Sequence, residues 1–240
     1  MGDLDRAYKI FDILEIPNTN IVIAVGQISG WIWHGGVWKS VDGGHTWTRK
    51  AHYGDAVFYM LQYDTLKNII FSVGKVRDFL IYSTNYGEQW HEIYYPYFIG
   101  EWAARSSVLI SGKLYVGFYT WVNGRYYSPV LIRLDYSDPN PNNWYWELIN
   151  QYPELNDTAG IFRLVYKNNK LFVFGEDKGG NGIRIYTYDI STLDKMAKPI
   201  GTVAEMAQYW KKRKEELADN KRPNGEIKGM QTFTPVEFKK

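Results

Sequence analysis

The 240-residue chain contains no cysteine. That excludes a disulfide framework, a thiolate metal site and a cysteine nucleophile. Net charge is also scarce, with 28 Lys and Arg against 26 Asp and Glu, so composition gives no electrostatic ground for a nucleic-acid partner. No run approaches the roughly 18 apolar residues of a membrane span, and Met1-Gly2-Asp3-Leu4-Asp5-Arg6 lacks the basic start and apolar stretch of a signal peptide. The expectation is a chain without membrane association, cytoplasmic or virion-associated. What the sequence has in excess is aromatic: 10 Trp, 20 Tyr and 11 Phe, within a 45% hydrophobic composition that suffices for a sizeable core.

From residue 9 to about 203, short runs of β-branched and aromatic residues are broken by Gly, Asn, Asp and Pro, with no 3.6-residue period. That pattern predicts an all-β domain. Four segments share one phrase, a turn followed by an apolar strand ending in glycine: Asn20–Gly26, Asn68–Gly74, Lys113–Gly117 and Lys170–Gly175. Each follows another apolar strand (Ile10–Ile16, Val57–Tyr63, Ser107–Ile110, Ile161–Tyr166), and two more strands are expected after it. The repeating unit is thus four strands. One such unit cannot bury both of its faces, so units stack, and radial stacking gives a β-propeller. The expected fold is all-β, a small propeller of four to five four-stranded blades over residues 1–203, with a C-terminal helix and tail over 204–240. Thr202-Val203-Ala204-Glu205 reads as a capping box, and Val203, Met206, Ala207, Trp210 and Leu217 share one helical face. A further strand is expected at Met230–Phe238, able to join a sheet edge.

The sharpest local signal is Ser40-Val41-Asp42-Gly43-Gly44-His45-Thr46-Trp47, which returns as Ser83-Thr84-Asn85-Tyr86-Gly87-Glu88-Gln89-Trp90. These stretches resemble the Asp-box, or BNR repeat, of sialidases, sortilin-type receptors and plant photosystem assembly factors, all of them β-propellers. The first copy matches every fixed position of that motif: Ser40, Asp42, Gly44, Thr46 and Trp47. The second keeps Ser83, Gly87 and Trp90 but has Asn85 for Asp and Gln89 for Thr. Residues of these types at this spacing point to a folding device. A carboxylate accepts N–H bonds within the turn, glycine permits positive φ, and tryptophan anchors the next strand.

If the units are blades, the loops after their second strands and between successive units lie on one face, opposite the boxes. The former carry Trp31, Trp33, His34, Arg77, Trp121, Tyr126 and Glu176; the latter carry Asp55, Glu101, Trp102 and Asp157. Alternation puts Trp31 and Trp33 on the same side of a hairpin. Arg105 and Arg163, at the start of inner strands, are expected to face the central channel. Aromatic platforms beside charged groups suit a glycan or a protein partner. The same rings also serve as blade packing.

Catalysis is less well supported. The resemblance to sialidases implies an arginine triad, a tyrosine nucleophile with its glutamate, and an acid aspartate, but two arginines are not a triad. The nearest approach to the sialidase Phe/Tyr-Arg-Ile-Pro phrase, Phe162-Arg163-Leu164-Val165, follows both boxes and lacks the proline. The four histidines (His34, His45, His52, His91) show no partner spacing for a serine nucleophile or a metal. Lys211-Lys212-Arg213-Lys214 precedes Glu215, Glu216 and Asp219, the pattern of a solvated helix face. The reading is therefore a non-catalytic binding or assembly module with no cofactor and no metal. Its partner is a glycan or a protein, and its helix and tail are the surface for any homo-oligomer. The rivals are a sialidase-like glycoside hydrolase and a structural component of a larger particle such as a virion.

Overall fold

The computed structural model describes residues 7–28, 34–54, 56–76, 79–96, 103–122, 125–149, 158–177 and 182–219. Its strands form antiparallel sheets in chain order. Sheet 1 contains β1 (Lys9–Glu15), β2 (Val22–Gln27), β3 (Gly35–Ser40) and β4 (Thr48–Tyr53). Sheet 2 contains β5 (Ala56–Asp64), β6 (Ile69–Val76), β7 (Phe79–Ser83) and β8 (His91–Tyr94). Sheet 3 is built from β9 (Ala103–Ile110), β10 (Lys113–Val122), β11 (Arg125–Asp135) and β12 (Tyr145–Leu148). Sheet 4 has three strands, β13 (Thr158–Lys167), β14 (Lys170–Asp177) and β15 (Ile183–Asp189), and meets sheet 3 in a single backbone pairing, Tyr119 with Gly160.

The fourth unit departs from the expected pattern. Where its last strand should be, the chain forms helix α1 (Ile190–Met196), and the next strand, β16 (Lys198–Thr202), pairs instead with β12 as a fifth strand of sheet 3. Two interactions explain the switch. Leu193 is fully buried in the core between sheets 3 and 4, and the Asp194 carboxylate accepts from the buried Arg133 guanidinium of β11. Glu147 accepts from Nε and Nη2 and the Tyr115 hydroxyl from Nη1, so the buried cation is paired with two carboxylates, which is the condition for tolerating it.

Helix α2 (Val203–Asp219) begins at the capping box, with Thr202 N–H donating to Glu205 Oε2 at 2.7 Å and Glu205 N–H to Thr202 Oγ1 at 3.2 Å. Val203 and Met206 sink into the core shared by sheets 2 and 3, and Trp210 Nε1 donates to Tyr95 O at 2.8 Å. The helix thus packs on the flank of those sheets. No helix among the described residues is long and apolar enough to cross a membrane. The expected strand at Met230–Phe238 lies outside the described residues.

Much of the aromatic excess is core. Trp38, Trp144 and Trp146 are fully buried, and Phe71, Tyr82, Tyr136 and Trp144 form one cluster with ring centroids 5.0 to 6.5 Å apart.

Both motif turns adopt the same hydrogen-bonded form. Ser40 Oγ donates to Asp42 Oδ1 at 2.7 Å and accepts Gly44 N–H at 2.8 Å; Ser83 Oγ does the same with Asn85 Oδ1 and Gly87 N–H, both at 3.0 Å. The indoles close the turns from the far side, Trp47 onto Gly44 O at 2.9 Å and Trp90 onto Gly87 O at 3.1 Å. Gly44 and Gly87 have φ of 94° and 77°, the left-handed region that glycine occupies at no steric cost.

Candidate functional site

The first strand of every sheet carries a β-bulge at a corresponding level. Register breaks between Ile10 and Asp12, between Phe58 and Met60, between Ala104 and Ser106, and between Ile161 and Arg163. The unpaired residues are Phe11, Tyr59, Arg105 and Phe162. A bulge leaves one residue out of the ladder and re-aims its side chain. Here the Phe11 and Tyr59 rings meet edge to face with centroids 5.0 Å apart, and the Arg105 guanidinium carbon lies 4.7 Å from the Tyr59 centroid. Phe11, Arg105 and Phe162 are exposed and Tyr59 is half-buried. The result is a row of rings and a cation along the inner strands, contiguous across sheets 1, 2 and 3.

The repeated glycine of the sequence phrase makes this wall possible. Gly26 and Gly74 pair with Ile10 and Phe58, the residues just before the bulges. A Cβ at Gly26 would stand 2.0 Å from Lys9 O, and one at Gly74 would stand 1.9 Å from Val57 O. In sheet 3 the glycine of the phrase, Gly117, pairs instead with Ser106 just after the bulge, and a Cβ on it would meet Ile161 of sheet 4 at 2.5 Å.

A chain of polar ties ranks the sheets side by side. A bulge removes backbone groups from the ladder, and buried N–H groups need partners. In each sheet after the first, the residue two past the bulge donates its N–H to the side chain one past the bulge in the preceding sheet. Leu61 donates to Asp12 Oδ2 at 2.7 Å, Ser107 to Met60 Sδ at 3.3 Å, and Leu164 to Ser106 Oγ at 2.8 Å.

Of the expected site residues, the structure brings Arg105 into this row and places Arg163 one residue beyond Phe162. Glu176 is exposed on β14, opposite Ile183 in register. His34 lies at the rim of sheet 1, its Nδ1 3.0 Å from His52 Nε2. Burial and the neighbouring His34 and Arg49 lower the His52 pKa, so the neutral imidazole is favoured. No group of three or more metal-ligating side chains forms among the described residues. Trp31, Trp33, Asp55, Arg77, Glu101, Trp102 and Asp157 lie outside the described residues, as do the side chains of Trp121 and Tyr126, whose backbones pair in register between β10 and β11. Sequence reasoning missed Phe11, Tyr59 and Phe162. The signal that marks them is their place beside the residue that pairs with the repeated glycine, which becomes visible only with the register.

No family model matches the chain. No curated protein matches it either. Solved structures do resemble it. An ancestral GH74 enzyme is similar over 76% of this chain and 27% of its own, with TM-score 0.54 and 17% identity. A GH74 enzyme from Niastella koreensis gives 0.51 and 17% over 79% and 30%, and a GH74 xyloglucanase from Xanthomonas campestris gives 0.51 and 11% over 75% and 28%. This chain spans less than a third of the length of these enzymes. At such identities the likeness is one of fold, and that fold is of the β-propeller type.

Proposed function

We propose that this chain is a non-catalytic recognition module that holds a glycan chain along the inner wall of its sheets. The observation that carries the reading is the row of Phe11, Tyr59 and Arg105, with Phe162 at the equivalent position of sheet 4, supplied by equivalent bulges in the first strands of four successive sheets. Ring faces offer contact area at low entropic cost, and a guanidinium fixes orientation by hydrogen bonds to hydroxyl or carboxyl oxygens. Asp12, which follows Phe11 on β1, accepts N–H bonds from Ile13 through Oδ1 and from Leu61 through Oδ2. It is committed to architecture rather than to proton transfer. Residues 1–203 form the recognition unit, and helix α2 braces its flank. Within that unit the turns Ser40–Trp47 and Ser83–Trp90 are a complete and a weakened Asp-box, a reading supported by their shared hydrogen-bond pattern.

The test is a glycan array followed by calorimetric titration of the best binder, with hydrolysis of the same glycan assayed in parallel. Phe11→Ala and Arg105→Ala alter exposed side chains and should each weaken binding at least tenfold while leaving the melting temperature nearly unchanged. Turnover of the glycan would overturn the non-catalytic reading. Binding that neither substitution affects would remove the row from it.

A further inference from the structure

Among the described residues, sheets 2 and 3 have neighbours on both sides, whereas sheets 1 and 4 end the series. Two residues past the bulge stand Ile13, Leu61, Ser107 and Leu164. The last three are 6%, 2% and 3% exposed because the preceding sheet covers them, while Ile13 is 56% exposed. Its N–H, which has no preceding sheet to reach, turns back to its own Asp12 Oδ1 at 2.9 Å. At the other end of the series, the position one past the bulge holds an acceptor in sheets 1 to 3 but Arg163 in sheet 4. Arginine can only donate.

The rest of sheet 4 agrees. Register places Leu164, Leu171, Val173 and Tyr188 on the face packed against sheet 3. Val165, Phe172, Phe174, Ile183 and Ile185 fall on the opposite face, where Ile185 is 59% exposed. An apolar sheet face left open in this way marks an interaction surface.

We propose that the two open ends are complementary halves of one junction, so that sheet 4 of one copy stacks on sheet 1 of a second copy and two copies close a ring. Charge fits this occupant. Sheet 4 ends in the exposed Arg163, and the first strand of sheet 1 carries the exposed Glu15 on the same face as Ile13. A guanidinium in the place of the usual acceptor then faces a carboxylate two residues along the strand from Ile13. Elsewhere on that side of sheet 1, Val22, Ala24 and Trp38 are already buried, so the docking area is the β1 part around Ile13 and Glu15. A head-to-tail contact either closes or grows into a filament. Four sheets from each of two copies make eight, within the four to eight blades of closed propellers, whereas three copies would exceed it. The row of bulge residues then continues round a wall to which both copies contribute. This inference stands whether or not that wall holds a glycan.

Light scattering on the eluting full-length chain, from about 1 to about 100 µM, tests it. The expected mass at the upper end is twice 28.0 kDa. Ile13→Asp and Ile185→Asp place a charge on exposed positions at the two ends, so each should fold with an unchanged melting temperature and elute as a single chain. An equimolar mixture of the two should recover a two-chain species, because one of its two junctions is wild-type on both sides. Arg163→Glu should also give single chains, and adding Glu15→Arg to the same chain should restore pairing. A wild-type mass of one chain, or of more than two, would overturn the ring. Failure of the mixture to pair, or an Ile13→Asp protein that stays paired, would assign self-association to like faces or to another surface such as α2.

Discussion

The Asp12 carboxylate of β1 accepts the backbone N–H of Leu61 in β5 at 2.7 Å. This bond crosses from one sheet to the next and satisfies a donor on a strand whose register has just slipped at Tyr59. Leaving such a buried N–H without a partner costs about 1–3 kcal/mol. Asp12→Ala should therefore lose about 1–3 kcal/mol in urea unfolding, and Asp12→Asn, which keeps one acceptor oxygen, should lose less. Ser106→Ala, which breaks the equivalent tie to Leu164, should behave like Asp12→Ala. A change within about 0.5 kcal/mol for both would show that the ties are dispensable.

The glycine phrase makes a second prediction. Gly74→Ala forces a Cβ to within 1.9 Å of Val57 O, a backbone atom that cannot swing aside. The bulge must be lost or the strand displaced, at a cost of at least about 3 kcal/mol. Gly54→Ala is the control, since nothing lies within 4 Å of its Cβ. It should change the unfolding midpoint little. Equal effects from the two substitutions would show that the close approach at Gly74 does not determine the register.

The sequence showed the strands, the repeat and the helix because those depend on local chemistry. Asn68 to Gly74 is an apolar run closed by a glycine, and Thr202 with Glu205 forms a cap from residues three apart. The identity of the last strand of unit four was not legible. Asp189-Ile190-Ser191 can begin either a turn or a helix, and the choice is made by Leu193 and Asp194 against residues of sheet 3. Of the candidate row, the sequence singled out only Arg105, by its charge. Phe11, Tyr59 and Phe162 are ordinary aromatics in apolar strands until pairing shows that each has been pushed out of its ladder.

Acid stability should depend on Asp135. This residue, buried on β11, accepts Ser137 N–H at 3.0 Å and pairs with Lys113 Nζ at 2.9 Å. Burial pushes its carboxyl up, but the hydrogen bonds from Ser137 and Lys113 outweigh this and hold it at about 2 against an ordinary 3.8. Because the folded-state value lies below the unfolded one, the unfolded chain takes up the proton first. The stabilisation is complete above the unfolded value and drains away as pH falls through the folded one. The window is pH 4 to 2, and the amount is on the order of 2 kcal/mol. Urea midpoints measured across that window should fall more steeply for the wild type than for Asp135→Asn. Parallel curves would mean that other carboxylates control acid unfolding.

The two motif turns offer an internal exchange experiment. In the first, Asp42 accepts from Ser40 Oγ, Thr46 N–H and Thr46 Oγ1, the last two at 2.8 and 2.6 Å. Those bonds, led by the Thr46 and Ser40 side chains, hold its carboxyl well below the usual range. In the second turn, Asn85 Oδ1 takes Ser83 Oγ and Gln89 N–H at 3.0 Å each, but its amide nitrogen stands 3.5 Å from Gln89 Oε1, the outer limit of a hydrogen bond. The backbone is the same and only the acceptor chemistry differs. Asp42→Asn should lower the unfolding midpoint, since an amide presents one acceptor oxygen where the carboxylate presents two. Asn85→Asp with Gln89→Thr should raise it by restoring the short charge-assisted pair. Asn85→Asp alone should gain less, because Gln89 offers no hydroxyl to the second oxygen. If the double substitution destabilises the protein, the second turn is held by the Lys39 and Lys50 ion pairs to Glu88 rather than by its own hydrogen bonds.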